Sequence, residues 1–122
     1  MNCHNEEYNC PVSTTIELIG GKYKALILWH LMDETLRFGE LRRLIPQATP
    51  KMLTQQLREL EEANLLIRTI YPVVPPKVEY RLSKLGMSIK PILDSMYTWG
   101  ADFLNENGKD INCSMIVKQD MS

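Results

Sequence analysis

Residues 49–64, TPKMLTQQLRELEEAN, constrain the fold more than any other stretch, because they specify one helix and both of its faces. Thr49 is placed to cap the helix, its hydroxyl accepting from a first-turn N–H that has no partner inside the helix. Pro50 follows at the first helical position, where a missing N–H costs nothing. At about 100° per residue, Leu53, Leu57, Leu60 and Asn64 form one narrow stripe. Lys51, Gln55, Arg58 and Glu62 lie opposite, flanked by Met52 and Thr54. The leucines anchor the helix. The outer face offers groups able to read base edges: Gln to adenine, Arg or Lys to guanine, Thr to several. An ordinary surface helix has the same composition, so the neighbouring segments decide its use.

Upstream, residues 39–44 (GELRRL) predict a short helix with Leu41, Leu44 and Ile45 apolar, stopped before Pro46. Only Pro46-Gln47-Ala48 separates it from the helix at 49–64, which is a helix-turn-helix arrangement. Downstream, residues 66–71 and 78–82 are rich in β-branched and aromatic side chains and predict two strands. The prolines between them stiffen the connection, and Lys77 is expected at its tip. A hairpin directly after a helix-turn-helix is a wing, able to reach the backbone or minor groove beside a helix in the major groove. A plain structural hairpin is the alternative.

Cys10-Pro11 opens a first helix, with Val12, Ile16 and Ile19 on one apolar side. Gly20-Gly21 ends it in a tight corner, one of the two expected at positive φ. Residues 22–32 are apolar over most of the helix girth and predict the central core helix, with His30 a structural histidine rather than a ligand. Leu36-Arg37-Phe38 is a strand fragment at most. Ser83 caps a long helix from Lys84 to about Asn105, which Pro91 should kink or split. Met96, Trp99 and Phe103 stay apolar after a core of this size is full, which marks a partner surface. Packing on the first helix of the same chain is the alternative. A homodimer is favoured, because two-fold pairing doubles the contacts of one short reading helix. Residues 1–9 read as a flexible N-terminus and 106–122 as a C-terminal tail, leaving one domain over 10–105.

With 122 residues, 44% hydrophobic and 24% charged, the chain suits a single globular domain. Its N-terminus lacks the apolar core of a signal peptide, and no apolar run approaches a membrane span. Three cysteines are too few and too odd for a disulfide framework, so a cytoplasmic protein with no membrane partner is expected. The net charge of −1 does not favour nucleic acid, but its distribution does. Arg37, Arg42, Arg43, Lys51 and Arg58 stand against Glu40 alone in the middle, while acids predominate from Asp94 onward. A fold that turns the middle outward binds phosphates there. With only His4 and His30 available, there is no nucleophile–base set, no phosphate loop and no metal spacing. Cys3, His4 and Cys10 lack a fourth ligand. The expectation is therefore no enzyme and no cofactor.

Three stretches carry a family resemblance: CPVSTTIELIGGKYKALILWHL, LRFGELRRLIPQATPKMLTQQLRELEEANLLIRTIYPVVPPKVEYRLSKLG and MYTWG. They resemble the HxlR-type family of bacterial winged helix-turn-helix transcriptional regulators over residues 10 to about 104. The resemblance implies a mainly α fold with a small β-hairpin, a winged helix-turn-helix with N- and C-terminal dimerisation helices. It implies a homodimer on double-stranded DNA with a two-fold operator. By position, Thr49, Lys51, Met52, Thr54, Gln55 and Arg58 belong to the recognition helix. Arg37, Arg42 and Arg43 would meet phosphates, and Lys77 stands on the wing. Tyr23 replaces the usual Trp, and Val74 stands where members often carry a polar or acidic residue. Members of the family include thiol-based sensors of oxidants, quinones or reactive aldehydes that use a cysteine at the position of Cys10. A small-molecule or oxidant effector is thus implied. A helix N-terminus lowers a thiol pKa, whereas Glu6 and Glu7 nearby would raise it. Cys113 could meet Cys10 across a dimer interface; an unreactive, merely packed Cys10 is equally compatible. A winged-helix module that binds protein instead of DNA is the alternative function.

Overall fold

The computed structural model describes residues 9–111. The elements run α1 (Pro11–Ile19), α2 (Lys24–His30), β1 (Leu36–Arg37), α3 (Phe38–Leu44), α4 (Pro50–Glu62), β2 (Leu66–Tyr71), β3 (Lys77–Leu82), α5 (Lys84–Met87) and α6 (Lys90–Glu106). The fold is a winged helix-turn-helix: helices with a three-stranded antiparallel sheet of order β1-β3-β2. The expected flexible segment 1–9, apart from Asn9, and the tail beyond residue 111 lie outside the described residues, as do Cys3, His4 and Cys113.

The core forms where the stripes of α2, α3 and α4 meet. Ile27 and Leu28, Leu41 and Ile45, and Leu53, Leu57 and Leu60 are fully buried. Each such side chain stabilises the fold by about 1.5–3 kcal/mol through removal from water. Leu36, Leu66 and Leu82 close the core from the sheet side. His30 is buried as well.

Helix α4 starts as its sequence dictates. The Thr49 hydroxyl accepts from the Met52 N–H at 3.1 Å, and Pro50 opens the first turn. Its end differs from the simple continuation of the leucine stripe. Asn64 leaves the helix at φ 64°, exposed to solvent. The Leu65 N–H then bonds to the Leu60 carbonyl and the Asn64 N–H to the Glu61 carbonyl, a Schellman closure. This sends the chain directly into β2.

The Gly20-Gly21 corner corrects an expectation. Gly20 has φ −84°, and among the described residues the positive φ values belong to Asn64 and Gly108. Glycine is needed at position 20 for space: a Cβ there would collide with the Ile16 carbonyl. On α1 only Ile19 of the apolar side is buried; Val12 and Ile16 are 68% and 61% exposed. The long C-terminal helix is split, as Pro91 requires. The short α5 ends at Met87 with Ser88 as its C-cap, and α6 restarts with Pro91 in its first turn, where no backbone donor is missed. Helix α6 rests on α2 through buried Leu93 and a Trp29–Tyr97 stack at 5.9 Å. Among the described residues no helix is long and apolar enough to cross a membrane.

Candidate nucleic-acid interface

The burial of Leu53, Leu57 and Leu60 fixes which way α4 faces. It leaves Lys51, Met52, Thr54, Gln55 and Arg58 exposed on the outer side. Lys51, Thr54, Gln55 and Arg58 line one open hollow of about 620 Å³ with Phe38 and Pro50. Thr49 caps the N-terminus of the same helix. The preceding turn is held by the Ala48 N–H on the Ile45 carbonyl at 3.1 Å. Beside it Arg42 and Arg43 line a second hollow with Gly39, Pro46 and Ala48.

Arg37 stands apart from both hollows, at the N-cap of α3 and the end of β1, where its N–H donates to Glu40 Oε1 at 2.8 Å. Among the described residues, none of Arg37, Arg42, Arg43, Lys51 and Arg58 takes part in an ion pair. Five exposed cations on one segment, none of them held in an ion pair among the described residues, form a surface suited to phosphates.

The hairpin pairs Leu66 with Leu82, Arg68 with Tyr80 and Tyr71 with Lys77. Strand β1 adds Leu36 opposite Tyr80. Lys77 is therefore the first residue of β3, not part of the tip, which is the uncharged stretch 72–76. Its ammonium lies 3.3 Å from Glu79 Oε2 and 4.9 Å from the centre of the Tyr71 ring. Both contacts reduce the charge it offers outward.

Between α4 and the sheet runs a third hollow, lined by Thr54, Arg58, Glu61, Glu62, Arg68 and Tyr80 among others. Thr54 and Arg58 thus border both the helix face and the base of the wing. Arg68 is 3.3 Å from Glu61 Oε1. Burial pushes the Tyr80 phenol pKa up, and the charge of Arg68 works against that shift. Arg68 and Tyr80 escaped the sequence reading; the signal was a cation and an aromatic on partner strands, visible only once the register is known.

Behind the exposed face of α4, polar contacts tie the helix to the α1–α2 corner. Gln56 Oε1 accepts from the Tyr23 N–H at 2.9 Å, and the Tyr23 hydroxyl donates to the Gln47 carbonyl at 3.1 Å. Lys24 Nζ lies 2.7 Å from Glu59 Oε1. Lys24 and, next to it, the Gln55 amide hold the Glu59 carboxyl below its ordinary range. The tyrosine hydroxyl has a use that a Trp at this position could not supply in the same way.

Cys10 is the N-cap residue of α1, half-buried, with its carbonyl accepting from the Thr14 N–H at 2.8 Å. Met96, Trp99 and Phe103 lie on the outer side of α6. Trp99 and Phe103 stack on each other at 5.5 Å and are 70% and 49% exposed. The alternative that this face packs on the first helix of its own chain is thereby set aside.

A model of the HxlR-like helix-turn-helix matches residues 18–108. The HTH-type transcriptional regulator YtcD of Bacillus subtilis is 52% identical over 100 residues, covering 82% of this chain and 79% of YtcD. Its crystal structure superposes with a TM-score of 0.76 over 80% of this chain and 99% of that one. The redox regulator HypR in its oxidised form has 44% identity and a TM-score of 0.73, covering 84% of this chain and all of its own. The reduced form of the Bacillus subtilis regulator YodB has 33% identity and a TM-score of 0.68, over 78% of this chain and 94% of that one.

Proposed function

This chain belongs to the HxlR-like helix-turn-helix family of transcriptional regulators, and from that premise we propose that it works as a cytoplasmic homodimer on a two-fold DNA operator. Residues 10–105 form the DNA-binding and dimerisation domain. The reading rests chiefly on one observation: Lys51, Thr54, Gln55 and Arg58 share an exposed hollow on a helix whose opposite face is locked into the core. In the major groove, that face would meet base edges, Thr49 and Met52 would stand at its N-terminal edge, and Arg37, Arg42 and Arg43 would meet phosphates. Lys77 would act at the wing beside the duplex. The exposed Met96, Trp99 and Phe103 on α6, together with Val12 and Ile16 on α1, would cover one another across the two-fold axis.

Selection of binding sites from random duplex DNA tests the reading. The expected product is a two-fold sequence whose affinity falls steeply with salt. Recovery of no common sequence, with binding insensitive to salt, would favour a protein-binding winged helix.

A thiol response through Cys10 is the finer part of the proposal. Its support is the position of Cys10 at a helix N-terminus, where the partial positive charge favours thiolate, and the likeness to HypR, a redox regulator. Operator affinity before and after diamide should change in the wild type and stay constant in Cys10→Ser. Equal responses would refute it.

A further inference from the structure

The Lys24–Glu59–Gln55 chain links the core side of α4 to its reading face. Gln55 Nε2 donates to Glu59 Oε2 at 3.2 Å, one helical turn on. The other carboxylate oxygen of Glu59 is 2.7 Å from Lys24 Nζ, with the Lys24 side chain 12% exposed and that of Glu59 39% exposed. One end of the chain is thus anchored on α2 and the other reaches the helix face lined by Lys51, Thr54 and Arg58.

We propose that Glu59 is a positioning residue that fixes the orientation of the Gln55 amide and thereby sets the base preference at one position of each half-site. This rests on the DNA-binding reading given above. A primary amide has two N–H donors and one carbonyl acceptor. With the N–H that points away from Oε1 donated to Glu59, the other N–H and Oε1 lie side by side, free for a base edge. That donor–acceptor pair matches adenine, whose N7 accepts and whose N6 amino group donates in the major groove. The flipped amide would bring Oε1 against a carboxylate, acceptor to acceptor, and is disfavoured. Lys24 keeps Glu59 charged and directed, so the amide is oriented before the duplex arrives and pays no ordering cost on binding. Without Glu59 the amide turns between two orientations, and the discrimination against other bases weakens.

The test uses the duplex selected with the wild-type protein and a panel carrying each base pair at every half-site position. Gln55→Ala identifies the position that Gln55 reads, by flattening the preference for adenine there. Glu59→Ala is expected to reduce the preference at that same position about tenfold, on the scale of a bidentate base contact, and to leave the other positions unchanged. Lys24→Met, which keeps the apolar stem of the side chain, is expected to act in the same direction at the same position. Thermal unfolding of each variant shows that the fold persists. A uniform loss across all positions would make Glu59 a packing residue and overturn the proposal. So would a preference that Gln55→Ala erases and Glu59→Ala leaves intact, while the DNA-binding reading would survive. A wild type without base preference at any position would overturn both.

Discussion

Arg58 and Arg42 carry the same charge and differ in what surrounds them. Arg58 borders both the hollow on the exposed face of α4 and the one leading to Arg68 and Tyr80, whereas Arg42 lies beside the turn before α4. If Arg58 meets a base edge, Arg58→Ala should cost about 1–3 kcal/mol of operator affinity and relax specificity at one position. Arg42→Ala should weaken all sequences alike and reduce the salt slope by about one. Titrations of matched and mismatched duplexes at several salt concentrations separate the two. Glu59 adds a pH signature. Its folded carboxyl titrates below the ordinary value of 4.5, chiefly through the Lys24 contact and then Gln55. A depressed folded pKa means that the unfolded chain takes up the proton first as pH falls. The stability Glu59 contributes is therefore complete above 4.5 and lost as pH falls through the lowered value. Denaturant unfolding of wild type and Glu59→Gln should show a stability gap at neutral pH that closes in acid. A gap independent of pH would place the effect in packing rather than charge.

At the level of elements, close approach matters as much as pattern. A Cβ on Gly86 would collide with the Leu65 carbonyl, the group that also accepts from the Ser83 N–H. Gly86→Ala must push α5 away from the root of the wing. The expected cost is about 1–3 kcal/mol, typical of overpacking, read as a lower denaturant midpoint with the same slope. An unchanged midpoint would mean that the root yields freely. Much of this architecture was written in local chemistry. Thr49-Pro50 and Ser83 announce helix starts because capping involves only neighbours in sequence, and Pro91 announces a split for the same reason. The leucine spacing of α4 named its buried face, and hence the exposed one, before any tertiary contact was known. What stayed hidden depends on tertiary approach. Gln56 meets Tyr23 across thirty-three residues, and β1 pairs with β3 over only two positions, Leu36 with Tyr80 and Arg37 with Glu79. No periodicity encodes such pairs. The spatial reason for Gly20 was hidden likewise, since sequence shows a glycine but not whether handedness or room demands it.

Among the described residues, exposed cations gather on α3 and α4, while α1 and α6 leave Val12, Ile16, Met96, Trp99 and Phe103 uncovered. A lone winged helix would gain little from leaving Trp99 in water, since burying an aromatic side chain is worth about 1.5–3 kcal/mol. In a two-fold dimer the apolar face closes on its copy, and the two α4 helices can occupy successive turns of one side of the duplex, about 34 Å apart. The two functions then depend on each other through geometry rather than direct contact. Trp99→Lys with Phe103→Lys separates them. Neither residue contributes to the buried core, so the monomer should keep its helical signal and a cooperative unfolding transition. Sedimentation should show a dimer in the wild type and a monomer in the double variant. Operator affinity should fall by at least about a hundredfold, because the second half-site is no longer delivered with the first. Affinity for a single half-site should change little, or rise slightly from the two added cations. If the double variant remains dimeric and binds the full operator as wild type does, the apolar face of α6 has another use and the two-fold arrangement must be built elsewhere.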